Sequence, residues 1–122
     1  MKIIKSEQIL AVDIDNTLLL WDEHDSGNQS VVFTDPYTGE TKQVKVHEAH
    51  LRIVKSRLSR GAVLLVWSSS GYRWVEAALF ALQLEHPRVI VLSKPIAYID
   101  DKPCAEWMGE RIYLPNNSKY GK

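Results

Sequence analysis

A chain of 122 residues carrying 15 basic and 15 acidic side chains is long enough to bury roughly two thirds of its unfolded surface around one core and too short for two. The zero net charge argues against a generic nucleic-acid binder, and the single cysteine, Cys104, excludes an internal disulfide, which leaves packing as the source of stability and a reducing compartment as the expected one. The amino-terminal stretch MKIIKSEQILAVDIDNT is broken by Ser6, Glu7 and Gln8 and again by Asp13 and Asp15, so it reads as neither a signal peptide nor a membrane span. A cytoplasmic, one-domain protein with no membrane association is expected.

Charge is spread unevenly. Residues 1–40 hold two lysines against eight acids, and residues 41–60 hold Lys42, Lys45, Arg52, Lys55, Arg57 and Arg60 against Glu48 alone. A solvated helix face explains that basic segment better than a phosphate-attracting patch.

In chain order, EQILAVDID predicts a strand whose unbroken apolar middle is typical of a central parallel strand covered on both faces. SVVFTDPYTGETKQVKV predicts a hairpin over about residues 29–46, because DPYTGE supplies turn geometry between two strand-like runs. From about His47 to Arg60 the spacing of Leu51, Val54 and Leu58 predicts a helix ended by Gly61. AVLLVW is a second buried strand, followed by SSSG and a helix from about Tyr72 to Glu85 that HP stops. RVIVLS and IAYIDD read as third and fourth strands, KPCAEWMGE as a short helix, and RIYL as a last strand. Strands alternating with helices predict an α/β fold: a parallel sheet with helices on both faces and a β-hairpin insertion.

In such sheets ligands gather beyond the carboxyl ends of the strands. Asp13 and Asp15 end the first strand, Ser68 to Ser70 the second, Lys94 follows the third, and Asp100 and Asp101 end the fourth. Singly these are ordinary turn, cap and surface residues. Jointly they would have to coincide along one rim by accident. Two carboxylates about 4 Å apart repel by on the order of 4 kcal/mol at an effective dielectric near 20, so four of them need more counter-charge than Lys94 supplies. A hard divalent cation answers this, and all-oxygen ligands favour Mg2+.

DIDNT, the apolar strand ending in Ser68, Lys94, and IDD at Asp100 and Asp101, in that order, resemble the haloacid dehalogenase-like superfamily, whose members are mostly Mg2+-dependent phosphatases. The likeness spans residues 13–101 and implies a Rossmann-like three-layer sandwich with a central, mostly parallel sheet. It implies Asp13 as the nucleophile, Asp15 as general acid and base, Ser68 as a donor to the transferred phosphoryl group, and Lys94 as the cation that holds the nucleophile. Phosphate would meet Asn16, Thr17, Ser68, Ser69 and Lys94. Mg2+ would meet Asp13, the main-chain carbonyl of Asp15, Asp100 and Asp101. Asn16 stands where many relatives have glycine, a change its tolerance of left-handed backbone permits. Ser69 and Ser70 are expected to cap the following helix.

Only some thirty residues separate Thr17 from the helix at His47, which leaves room for the hairpin but not for a helical lid. The resemblance is therefore to the capless branch, whose open sites suit large phosphorylated substrates, or small ones enclosed by a neighbouring subunit. Trp21, Asp22 and His24 lie on the loop after the acids, where they could touch a leaving group, and a structural role for Trp21 fits its position equally well. A polynucleotide phosphatase is the narrower alternative, and a catalytically silent binding or structural subunit the third. The helix YRWVEAALFALQLE is apolar over most of its circumference, the pattern of a core helix or of one that packs on a second copy in a homo-oligomer. His47 and His50 read as packing or surface residues rather than a metal pair, and Cys104 as a small core residue.

Overall fold

Three parallel strands carry the rim described above: β1 (Ile9–Asp13) pairs with β5 (Val63–Ser68), and β5 pairs with β6 (Val89–Ser93). This is a computed structural model, and it describes residues 8–21 and 29–115. A second, antiparallel sheet has the order β2-β4-β3, from β2 (Leu19–Leu20), β3 (Ser30–Thr34) and β4 (Thr41–Val46). With the helices α1 (Glu48–Ser59) and α2 (Tyr72–Leu82), the described residues form a small three-layer α/β domain of two sheets and two helices.

The expected hairpin insertion, β3 and β4, forms its own antiparallel sheet beside the parallel one, enlarged by the two residues of β2 that pair with β4. The hairpin forms where its turn residues place it. The Asp35 and Glu40 backbones bond across the turn at 2.8 Å, the Gly39 N–H reaches the Asp35 carbonyl, and Asp35 Oδ1 accepts the Tyr37 N–H.

Helix α1 begins at His47, whose Nδ1 accepts the His50 N–H. Glu48 in the first turn and Arg57 in the last suit the helix dipole. Gly61 at φ 93° reverses the chain, and the Arg88 guanidinium donates to the Leu58 carbonyl in the last turn of α1 and to the Ala62 carbonyl just beyond it. The α2 helix stops at Gln83, which takes the left-handed conformation, two residues short of Glu85.

One apolar cluster joins both sheets and both helices, from Val12, Ile14, Leu18 and Leu19 through Phe33, Val44 and Val46 to Val54, Leu64, Val66, Val75, Ala78, Leu79 and Leu82. Apart from Ala78, each such side chain contributes about 1.5–3 kcal/mol on leaving water. On α2 this accounts for Val75, Ala78, Leu79 and Leu82, whereas Phe80 stays 74% exposed.

Three strand expectations are corrected. β1 lies at an edge of its sheet rather than its centre, with Ile9 and Ala11 exposed. IAYIDD and RIYL are not strands. In the first, local bonds compete with any ladder: Tyr98 Oη accepts the Cys104 N–H and Asp100 Oδ1 accepts the Lys102 N–H. In the second, Leu114 gives its N–H and its carbonyl to histidine side chains instead of to a neighbouring strand. KPCAEWMGE keeps a single short 3-10 helix, Cys104–Glu106.

Candidate functional site

Strand register brings the rim together. Asp13 lies opposite Trp67 and Ser68 opposite Ser93, so β1, β5 and β6 end side by side. Beyond β1 the chain turns tightly. The Ile14 carbonyl receives the N–H groups of Thr17, Leu18 and Leu19, and Asn16 takes φ 58°. Ile14, Leu18 and Leu19 are fully buried, so apolar anchors between and behind the acids hold the polar turn in place.

The Asp13 carboxylate accepts a bond from Thr17 Oγ1 at 3.2 Å on Oδ2, and Lys94 Nζ stands 3.9 Å from Oδ1. Side-chain exposures of 31% for Asp13 and 43% for Lys94 keep both in reach of solvent and of a ligand. A pair so exposed adds at most about 1 kcal/mol to stability, so its significance lies in placement. Lys94 is also fixed through its backbone, whose N–H donates to the Ser68 carbonyl at 2.9 Å.

Asp15 is held differently. Its Oδ1 accepts the indole N–H of Trp21 at 2.8 Å and that of Trp74 at 2.9 Å, and its Oδ2 accepts Ser68 Oγ at 3.0 Å. Ser68 is fully buried, and its Oγ also accepts the Ser70 N–H. The hydroxyl expected on the phosphoryl group is therefore turned onto Asp15. Trp74 was not legible as a site residue. The signal that could have found it is an aromatic in the first turn of the helix that starts at the rim. Trp21 touches the acid itself.

Around these indoles an aromatic wall forms. Phe33 of β3 packs on Trp74 at 4.6 Å and on Trp21 at 5.3 Å between ring centroids. Tyr37 lies nearly parallel to Trp74, and its Oη donates to the Ser70 carbonyl at 2.7 Å. The hairpin is thereby fastened to the rim.

Other expected residues behave otherwise. Asn16 is exposed and its Oδ1 accepts the Trp21 backbone N–H at 3.4 Å. Ser69 is exposed, and neither it nor Ser70 caps α2. The cap position is Gly71, with no side-chain bond, and Ser93 Oγ accepts the Tyr72 N–H instead. Asp100 and Asp101 are exposed on the segment after Lys94. Among the described residues no group of three or more His, Cys, Asp or Glu is arranged to hold a metal ion, so the four acids do not form a ready cage. Mg2+ takes one or two carboxylates with waters and substrate phosphate oxygens, and the partly exposed Asp13 fits that sparser mode. Asp22 and His24 lie outside the described residues.

His47 and His50 are buried, and their ring nitrogens meet only protein partners: Leu114, Thr17 and the His50 backbone. They are packing residues, as expected. Comparison with family models, with curated proteins and with solved structures finds no match to this chain. No described helix is long and apolar enough to cross a membrane.

Proposed function

We propose that the protein is a phosphomonoester hydrolase of the haloacid dehalogenase-like kind that works through an aspartyl-phosphate intermediate. The observation that carries the reading is the meeting of Asp13, Asp15, Ser68 and Lys94 at the carboxyl ends of β1, β5 and β6, where sheets of this class bind ligands. In the proposed reaction an Asp13 oxygen attacks phosphorus in line, the bond from phosphorus to the leaving oxygen breaks, and Asp15 gives that oxygen a proton. Water then attacks the aspartyl phosphate as Asp15 takes the water's proton, and the bond to Asp13 breaks, which releases phosphate and restores both acids. Lys94 offsets charge on the equatorial oxygens, Thr17 fixes the attacking carboxylate, and Ser68 acts through Asp15.

Mg2+ belongs to the proposal with Asp13 as a carboxylate ligand, and when bound it would supply the counter-charge that Lys94 alone does not. Asp100 and Asp101, exposed on the segment after Lys94, belong to the same proposal as ligands held directly or through water.

The test is a metal-dependent screen of sugar phosphates, nucleotides and phosphorylated oligonucleotides, with Asp13→Asn alongside. Turnover with Mg2+, none with a chelator, and a loss of several orders of magnitude in the variant are expected. Full activity in Asp13→Asn would end the assignment. No turnover of any ester would leave the catalytically silent subunit as the better reading.

One observation favours a polynucleotide as the phosphorylated substrate. An open groove of about 460 Å³ runs along α1, lined by Arg52, Arg57 and Arg60 with Ser56, and faced by Ile112 and Leu114. Affinity for a 3'-phosphorylated oligonucleotide that falls steeply between low and moderate salt would select this reading, and salt-independent binding would remove it.

A further inference from the structure

The two tryptophans on Asp15 come from different parts of the chain, Trp21 from the loop after β2 and Trp74 from the first turn of α2, yet both indole N–H groups converge on one oxygen. An ionised carboxylate has about two acceptor sites per oxygen, and an indole N–H only donates. Two donors at 2.8 and 2.9 Å therefore fill Oδ1. A proton placed there would confront an N–H that has nowhere to turn, because each ring is packed, Trp21 against Trp74 at 5.7 Å and both against Phe33. Oδ2 differs. It accepts one bond, from Ser68 Oγ, which itself accepts the Ser70 N–H. One acceptor site on Oδ2 is left.

We propose that Trp21 and Trp74 are positioning residues that occupy Oδ1 of Asp15 and so assign proton transfer to Oδ2. The inference rests on the phosphatase reading. In the first half-reaction the proton on Oδ2 passes to the leaving oxygen as its bond to phosphorus breaks. In the second, the same oxygen receives the proton of the attacking water as the bond from phosphorus to Asp13 breaks. The indoles orient the carboxylate without adding charge, so the cation at the rim remains Lys94, on the other acid. They also tie the acid's orientation to the hairpin, since Phe33 of β3 packs on both rings.

Two esters separate positioning from plain structure. A general acid matters for an alkyl phosphate, whose alkoxide leaves poorly, and little for p-nitrophenyl phosphate. Trp74→Phe should lower kcat/KM, which covers the steps up to departure of the leaving group and not the hydrolysis common to both esters, about 10²-fold on the alkyl ester and less than about tenfold on the aryl ester. Equal losses on both esters, or no loss, would overturn the proposal. Trp21→Phe repeats the comparison should Trp74→Phe fail to fold. A readout free of turnover completes the test: of the four tryptophan indole N–H resonances, those of Trp21 and Trp74 should move in Asp15→Asn and the other two should not. Unmoved resonances sink the proposal while leaving the phosphatase reading standing. A wild-type protein inactive on both esters sinks the reading and the proton-transfer assignment together, and the resonances then judge the hydrogen bonds alone.

Discussion

The imidazole rings of His47 and His50 lie face to face, with centroids 3.5 Å apart and planes within 5° of parallel. Their partners assign the ring nitrogens. His50 Nδ1 donates to the Thr17 carbonyl at 2.7 Å and its Nε2 accepts the Leu114 N–H at 2.8 Å, while His47 Nε2 donates to the Leu114 carbonyl and its Nδ1 accepts the His50 N–H. The pair thus ties Leu114 to the turn that follows Asp13 and Asp15, and Tyr113 reinforces it by donating from Oη to the Asn16 carbonyl.

This arrangement predicts a pH dependence. Burial above all, with the His47 ring adding to it, lowers the pKa of His50 below the ordinary 6.5, although the bond to Thr17 works the other way. The unfolded chain protonates His50 near its ordinary value and the folded chain resists until lower pH, so the unfolded state binds more protons in between. The contribution is fully present above about pH 6.5 and is lost as pH falls through the window beneath it. Melting temperatures measured from pH 8 to pH 5 should decline over that window, and less steeply in His50→Asn. Identical slopes would show that His50 is not the source.

Lys94 separates function from stability. Its ammonium is 3.9 Å from Asp13 Oδ1 and both groups are partly exposed, so Lys94→Met should change unfolding free energy by no more than about 1 kcal/mol. The proposed phosphatase activity should fall by about 10²-fold or more, since in that proposal Lys94 offsets the charge on the phosphoryl oxygens. An active Lys94→Met enzyme would remove Lys94 from the proposed machinery.

Gly71 sits between the rim and α2 at φ 98° and ψ 166°, a region that is essentially glycine-only and costs other residues about 1–3 kcal/mol. A methyl group there would also meet Tyr37 Oη at 3.0 Å, the atom that fastens the hairpin to Ser70. Gly71→Ala should destabilise the domain by about 1–3 kcal/mol. Chemical denaturation will measure it, and an unchanged midpoint would mean that the junction relaxes at no cost.

Elements with local causes were legible. His47 and Gly61 bracket α1 as capping and left-handed geometry require, and DPYTGE turns the hairpin at the residues whose chemistry favours it. Asp13 and Asp15 stood out because carboxylates are costly in an apolar run. What escaped is non-local. The backbone of Leu114 is satisfied by histidines more than sixty residues earlier, which no pattern within RIYL announces. IAYIDD has strand-like side chains, yet Tyr98 and Asp100 find partners in the residues that directly follow, Cys104 and Lys102. Trp74 belongs to an apolar stripe that reads as core, and only the folded chain aims its N–H at an acid 59 residues away.

Two phenylalanines give a stability contrast that composition alone cannot distinguish. Phe33 is 1% exposed and packs between Trp21 and Trp74, whereas Phe80, on the outer face of α2, is 74% exposed. Phe33→Leu keeps most of the apolar volume but loses both aromatic contacts, each worth about 0.5–1.5 kcal/mol beyond area, so a total cost of about 1–3 kcal/mol is expected. Phe80→Ser removes a ring that touches little of the core, and it should stay within about 0.5 kcal/mol of wild type. Parallel denaturation curves will compare them, with tryptophan emission as a second signal that shifts in Phe33→Leu alone. A large loss in Phe80→Ser, together with a fall in mass by light scattering, would instead mean that a second copy covers that face of α2.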